Sequence, residues 1–454
     1  MKRQLYKQLI KWKNKPKRKP LILQGARQVG KTYLVSQFGN KEYQQFIYLN
    51  FEQTPELSSL FLDDLIPENI IENISLYLGK RIDHVNTLLF FDEIQVAPYV
   101  LTSLKYFYEQ APEYHIIAAG SLLGVRVGKT ISFPVGKVNF LQMYPMNFRE
   151  YLAALGEEPL AQKIATLDTI QAFPEVIHNK LLKHYKLYLY IGGMPEVVKS
   201  YIETRDISEV RLIQQELLEA YKRDFSKYTD KHQAVKTAEL WQSIPYQLAK
   251  ENKKFKYSDV RKKARASTFE QTIEWLKGAG LINIAYNIST PKLPLSGYAD
   301  YSKFKIYLLD TGLLGAMLNL SSKMIIEPEA IFKEYNGAFI ENYVAQELIA
   351  QEVSTLFYWT SKSDAEVDFI IEKNNKILPL EVKSGTNLNL KSLQSYVAKY
   401  KPAYVFRTSP RNFVKSNNFI NIPLYAISAI MSESKYAKTK YIYQHPLQIK
   451  QRTI

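Results

Sequence analysis

Residues 21–33 read Leu21-Ile22-Leu23-Gln24-Gly25-Ala26-Arg27-Gln28-Val29-Gly30-Lys31-Thr32-Tyr33: a short apolar run, then G-x-x-x-x-G-K-T, then a helical pattern reaching Phe38. Strand, glycine turn and helix in that order is the context in which this motif carries a mechanism. The glycines let backbone N–H groups wrap a phosphate, and the helix amino terminus adds positive potential. Lys31 would reach the β and γ oxygens and Thr32 would place its hydroxyl on Mg²⁺. The expected contacts to ATP and Mg²⁺ are therefore Gly25, Ala26, Arg27, Gln28, Val29, Gly30, Lys31, Thr32 and Tyr33.

Downstream, Leu88-Leu-Phe-Phe91 delivers Asp92-Glu93 from the end of a buried strand. Asp92 is expected to hold Mg²⁺, and Glu93 to act as the general base for water attacking the γ-phosphate. A further run, His115–Ala119, ends in Gly120-Ser121, which places Ser121 as a polar sensor beside the γ-phosphate or as a helix N-cap. Arg126 and Lys137 are either surface charges or cations acting on a neighbouring subunit's nucleotide in a homo-oligomer. Short apolar strands alternating with helices imply a parallel sheet covered on both faces, with functional groups at the strands' carboxyl ends.

Length and charge set the frame around this core. The chain has 454 residues, enough for several domains, and 46% apolar with 23% charged residues excludes wholesale disorder or a rod. A net charge of +16 favours a polyanionic partner, nucleic acid before an acidic membrane surface. Without cysteine there is no disulfide, zinc-thiolate site or cysteine nucleophile. No stretch reaches about 18 consecutive apolar residues, so no spanning helix is expected. The amino terminus is basic and lacks an apolar h-region, the pattern of a cytoplasmic chain.

The expected organisation is a basic segment at 1–20, an ATPase domain at 21–150, a helical region at 151–234, a winged-helix-like unit at 235–325, an α/β unit at 326–430 and a basic tail at 431–454. The first segment holds nine Lys or Arg and no acid; it would lie along phosphates or form a solvated helix with Leu5, Leu9 and Ile10 inward. In the fourth, a helix opened by Ser267-Thr-Phe-Glu270 is followed by strands at Leu281–Tyr286 and Phe304–Leu309, which is winged-helix grammar. Its cations cluster at Lys253, Lys254, Lys256, Arg261, Lys262, Lys263 and Arg265, whereas Glu270 and Glu274 oppose phosphate, so backbone contacts outweigh base readout.

In the fifth, Glu366-Val-Asp368 begins one strand and Glu381-Val-Lys383 ends the next, with Glu341 on the preceding helix and Gln394 on the following one. Carboxylates bind a hard divalent ion, and a lysine can position or deprotonate water, which together would hydrolyse a phosphodiester. The bland alternative is an edge-strand ion pair.

Taken together, the P-loop Gly25–Thr32, Phe91-Asp92-Glu93-Ile-Gln95, Ala119-Gly120-Ser121, Tyr190-Ile-Gly192-Gly193-Met194-Pro195, Leu308-Leu-Asp310-Thr311-Gly312 and Glu341/Asp368/Glu381/Lys383 resemble a prokaryotic family. Its members are AAA+-like P-loop ATPases, related to the archaeal ATPase group, with a carboxyl-terminal domain of PD-(D/E)xK nuclease type. The resemblance implies an α/β multidomain chain: a P-loop parallel sheet with a helical extension, a winged-helix-like middle domain and a restriction-endonuclease-like end. It also implies hydrolytic competence from Asp92 and Glu93, and a second divalent metal, Mg²⁺ or Mn²⁺, at Glu341, Asp368 and Glu381 with Lys383 beside it. Relatives often carry Gly-Arg where this chain has Gly136-Lys137, and lysine lacks arginine's planar fork.

Three functional readings follow. One is an Mg-ATPase that associates with DNA and carries a metal-dependent nuclease core. Another is an ATP-switched DNA- or protein-binding regulator with an inactive nuclease-like domain. The third is a signalling ATPase whose protein partner the residues do not name.

Overall fold

The computed structural model describes residues 1–120, 134, 136–166, 171–228, 230–250, 253–321, 332–362, 365–385 and 390–432. Ser121, Arg126 and nearly all of the basic tail lie outside the described residues. The chain opens with α1 (Tyr6–Lys13), which buries Leu9 and Trp12. Strand β1 (Leu21–Gln24) then leads through the glycine turn into α2 (Lys31–Glu42) and β2 (Gln45–Asn50). Helix α3 (Pro67–Leu78), strand β3 (Thr87–Asp92), helix α4 (Pro98–Gln110) and strands β4 (His115–Ala119) and β5 (Asn139–Gln142) complete the first layer.

These strands pair in parallel in the order β2-β3-β4-β1-β5. Alternation along the strands explains the two covered faces. Leu21, Leu23, Leu88, Phe90 and Ile117 face Leu34, Val35 and Phe38 of α2 in one core. Ile22, Leu89, Phe91 and Ile116 face Ile70, Ile74, Val100 and Leu104 of α3 and α4 in the other. β5 escapes the apolar-run criterion because its residues are only half-covered, although it pairs with β1 from Leu21↔Asn139 to Gln24↔Gln142.

The basic amino terminus does more than form a solvated helix. Arg3 is buried; its guanidinium donates to the carbonyls of Val29 (2.8 Å) and Tyr144 (2.6 Å) and pairs with Glu150 at 3.1 Å. One of the cations expected to seek phosphate is therefore a brace under the glycine turn.

Next come α5 (Phe148–Ala154), α6 (Glu175–Ile191), α7 (Pro195–Thr204), α8 (Ile207–Tyr228), α9 (Lys231–Ala249), α10 (Tyr257–Val260) and α11 (Ala266–Gly278). The hairpin β6 (Ile282–Ile288) and β7 (Ala299–Leu308) leads to α12 (Thr311–Met317) and α13 (Phe332–Ala350). Strands β8 (Leu356–Thr360), β9 (Glu366–Lys373) and β10 (Lys376–Val382) follow, then α14 (Lys391–Tyr400), β11 (Val405–Ser409), β12 (Val414–Ser416) and β13 (Phe419–Pro423). No described helix is long and apolar enough to cross a membrane.

The hairpin is not a free wing. One mixed sheet runs β12-β13-β11-β10-β9-β8-β6-β7, because β6 pairs in parallel with β8 from Ala285↔Leu356 to Ile288↔Trp359. The sheet thus crosses the division expected at 325/326. The physical reason is burial: Phe304–Leu308 is covered along its whole length, and an isolated two-stranded ribbon could not provide that cover.

Two glycine-bearing motifs meet where the layers join. Buried Asp310 accepts N–H bonds from Gly193 (2.6 Å) and Leu313 (3.0 Å) and the amide of Gln346 (3.3 Å). Burial pushes its carboxyl up to about 6 despite those donors. A Cβ on Gly193 would sit 2.0 Å from the Met146 carbonyl oxygen, which is why the chain needs glycine there.

A second buried carboxylate, Glu347 on α13, accepts the Phe148 N–H at 2.7 Å, and its other oxygen has no hydrogen-bond partner. Burial raises it from 4.5 to about 8, against the pull of that N–H. A proton held more tightly in the folded chain stabilises fully below pH 4.5, and the gain is lost as pH rises through about 8. Glu347→Gln is expected to flatten this fall in the urea midpoint over that window; an unchanged pH profile would exonerate Glu347.

Candidate functional site

The turn between β1 and α2 is built from backbone that few residues adopt: Gly25, Gln28 and Gly30 have φ of 149°, 63° and 93°. Such left-handed steps among right-handed ones shape a concavity of N–H groups suited to anions. Side chains are excluded by contact as well as by angle. A Cβ on Gly25 would lie 2.3 Å from the Met143 carbonyl oxygen.

Lys31 is buried, and its ammonium donates to the carbonyls of Gly25 (2.9 Å) and Ala26 (2.8 Å). Burial draws it down to about 8, with Glu93 and Asp92 working in the opposite direction. Thr32 Oγ1 donates to Asp92 Oδ2 at 2.7 Å, which joins the turn to the end of β3. Tyr48 adds a hydroxyl to the same oxygen at 3.2 Å. Burial raises the Asp92 carboxyl, opposed by the Thr32 bond.

Glu93 has φ 54°, an unfavourable angle for its size. Its carboxylate accepts from Gln95 Nε2 at 2.5 Å. A glycine-lined concavity, a lysine at its base and a hydroxyl–carboxylate pair one strand away fit a nucleoside triphosphate with Mg²⁺.

The turn is also gripped from the helical side, which the sequence reading did not anticipate. Arg27 pairs with Asp224 of α8 and, at 3.5 Å, with Glu52. Tyr221 donates its hydroxyl to the Arg27 carbonyl at 3.0 Å. Gly280, between α11 and β6, lies so close that a Cβ there would meet the Ala26 nitrogen at 3.2 Å. Val29 is buried and Tyr33 is exposed, its hydroxyl accepting from the amino-terminal NH₃⁺ at 3.1 Å. Lys137 pairs with Glu109 at 3.0 Å and stands over the Tyr108 ring.

A second cluster lies where the amino-terminal end of β9 meets the carboxyl end of its antiparallel partner β10. The register ends with Leu380 opposite Phe369, and Glu381 and Asp368 are the next residues on the two strands. Asp368 Oδ2 accepts the Val382 N–H at 2.7 Å, and Lys383 donates to Glu381 at 2.7 Å. Glu341 approaches from α13, near enough for its charge to act on Asp368 and Glu381. The sequence reading did not place Lys253 or Lys305 beside them. Lys305 of β7, fully buried, pairs with Glu366 at 2.5 Å and Glu341 at 3.6 Å. Lys253 also pairs with Glu341, and Tyr307 donates to it at 3.3 Å.

Burial and then the neighbouring Glu341 and Glu381 push Asp368 well up; burial also raises Glu381, against Lys383. Against the burial that would raise it, Lys253 and Lys305 hold Glu341 well below the usual carboxylate range.

Two expectations change here. Among the described residues no group of three or more His, Asp or Glu could hold a metal ion, so Glu341, Asp368 and Glu381 do not form the expected ligand set. Lysines and a backbone N–H already take both Glu341 oxygens and one oxygen each of Asp368 and Glu381. Gln394 is exposed on α14. Of the cations expected to face DNA, Lys253 is spent on Glu341 and Arg261 on Glu239, at 2.7 Å.

Comparison with known proteins agrees with the first site. Residues 17–152 match the AAA domain family, residues 182–324 a domain of unknown function (DUF8612), and residues 336–427 another (DUF4143). An uncharacterized protein of Methanocaldococcus jannaschii is 26% identical over 369 residues, 79% of this chain and 73% of its own. One of Mycobacterium tuberculosis is 27% identical over 123 residues, covering 26% of this chain and 27% of its own.

Among solved structures, a Walker-type ATPase of Pyrococcus abyssi aligns over 70% of this chain and 95% of its own, at 13% identity and TM-score 0.43. The Orc1 protein of Aeropyrum pernix in complex with DNA aligns over 70% and 91%, at 12% and 0.30. By its motif, its sheet and its match to the AAA domain family, the amino-terminal portion has a P-loop NTPase core.

Gly25→Ala is expected to weaken binding of a fluorescent ATP analogue by at least about 100-fold, or about 2.7 kcal/mol, in a fluorescence titration. Wild-type affinity would mean that the turn accommodates a Cβ after all.

Proposed function

We propose that this chain is a Mg-dependent ATP hydrolase whose nucleotide state is passed to a DNA-associated carboxyl-terminal half. The observation that carries the ATPase reading is the Thr32–Asp92 hydrogen bond beneath the glycine turn. Bound Mg²⁺ would neutralise charge on the β and γ oxygens. The backbone of residues 25–32 would seat the phosphates, and Lys31 would exchange its two carbonyl partners for phosphate oxygens. Glu93, released from Gln95, would take the proton of the attacking water. Glu93→Gln is expected to keep ATP binding and to lower kcat by about 10²–10⁴-fold in a phosphate-release assay; undiminished turnover would remove Glu93 as base.

The route onward runs from Arg27 and Ala26 to α8 and the α11–β6 turn. That same part of the chain displays Lys262, Lys263 and Arg265 as exposed cations, which supports phosphate contacts along a duplex. Replacing all three by alanine is expected to weaken binding of a labelled duplex and to reduce the slope of log K against log salt by up to about three. Equal anisotropy titrations for the two proteins would take DNA contacts away from this surface and favour a protein partner.

For the carboxyl-terminal α/β unit, the lysine-compensated carboxylates favour a binding platform over a nuclease. Nicking of supercoiled plasmid with Mn²⁺ decides between them. Cleavage by the wild type that Asp368→Ala loses would establish strand scission.

A further inference from the structure

Around Asp368, the carboxylates of Glu341, Glu366 and Glu381 are met by three lysines from three different segments. Lys253 follows α9, Lys305 lies in β7 and Lys383 follows β10. On Glu341, one oxygen is held by Lys253 and the other by Lys305 and the Tyr307 hydroxyl. Asp368 Oδ2 takes the Val382 N–H, and Glu381 Oε1 takes Lys383. Glu381 Oε2 is buried with no hydrogen-bond partner. A hard divalent ion gathers about six oxygens, several of them charged. Here only Asp368 Oδ1 and Glu381 Oε2 are left over, and an ion there would face the like charges of Lys253 and Lys305.

We infer that Lys253 is an internal cation standing in for a divalent metal at this cluster, so that the α/β unit takes up no metal there while Lys253 is seated. Lys253 is the removable member of the set. Its side chain is 17% exposed, whereas that of Lys305 is 0% exposed, and the two share Glu341. Withdrawing Lys253 frees one Glu341 oxygen in a cluster where the Glu341 carboxylate already acts on those of Asp368 and Glu381, which adds a third uncommitted carboxylate oxygen for Mg²⁺ or Mn²⁺ to draw on. Lys253 belongs to the stretch that follows α9. Helix α9 packs on α8 through Trp241, whose ring lies edge-on to Phe225 at 6.0 Å, and α8 carries the Asp224 that grips Arg27. The seat of Lys253 is thus within reach of the nucleotide turn through packed elements.

The inference deepens the platform reading and rests on it. Its test is binding of Mn²⁺ to nucleotide-free protein, followed by the electron paramagnetic resonance signal of free Mn²⁺, which reads neither DNA binding nor cleavage. Wild type and Asp368→Asn are expected to bind the same number of Mn²⁺ ions, since asparagine keeps the acceptor for Val382. Lys253→Met is expected to bind one more per chain, and Lys253→Met/Asp368→Asn to lose it, with ATPase rate unchanged throughout.

One Mn²⁺ fewer in Asp368→Asn than in wild type would overturn the inference, because the cluster would then hold metal with Lys253 in place. No added ion in Lys253→Met, with a wild-type circular dichroism spectrum, would overturn it equally. If the methionine variant does not fold, Lys253→Gln replaces it, and the comparison of wild type with Asp368→Asn still tests the closed state. Failure of the platform reading would show separately, as Asp368-dependent nicking by the wild type.

Discussion

Met146, Gly193, Asp310 and Gln346 form a ladder of buried hydrogen bonds that ties the ATPase sheet to everything after it. The Met146 N–H donates to the Gly193 carbonyl at 2.7 Å, the Gly193 N–H donates to Asp310, and Gln346 bonds both Asp310 and the Tyr188 hydroxyl. Each donor is out of reach of water, so leaving one unpaired would cost about 1–3 kcal/mol. That penalty explains why glycines stand at 192, 193 and 312, where any Cβ would enter occupied space. The segment that follows β5, beside the nucleotide turn, is consequently tied to α6, α12 and α13.

What could be read from the residues was what depends on local spacing. The glycine turn, β3 with Asp92-Glu93, and the alternation of short apolar strands with helices all follow from neighbours within a few positions. The helix expected at Ser267–Lys277 begins at Ala266, a shift of the size that frayed helix ends produce. What escaped was long-range. Lys253 and Lys305 reach Glu341 and Glu366 across gaps of 88 and 61 residues, and no periodicity announces such a pairing. β8 and its bond to the hairpin escaped for the same reason: a winged-helix pattern and two strands of a larger sheet look alike until the partner strand is known.

The net charge of +16 is likewise a poorer guide to the surface than it first suggests. Arg3, Arg27, Lys253 and Lys305 are all committed to buried or half-buried carboxylates. Their positive charge is consumed in holding segments together, and the part left to attract a polyanion sits on fewer residues, among them Lys262, Lys263 and Arg265. Charge in this chain is first a fastening and only then a field.

The single sheet that contains both the hairpin and the carboxyl-terminal strands also has a consequence for how this protein can be divided. A fragment beginning at residue 326 would retain β8 but lose β6, leaving the Leu-Phe-Tyr-Trp-Thr strand with an unpaired, strongly apolar edge. Such an edge is a template for pairing with another chain. A sheet built this way therefore resists being cut at that point: the carboxyl-terminal strands keep a covered edge only in a fragment that begins ahead of β6.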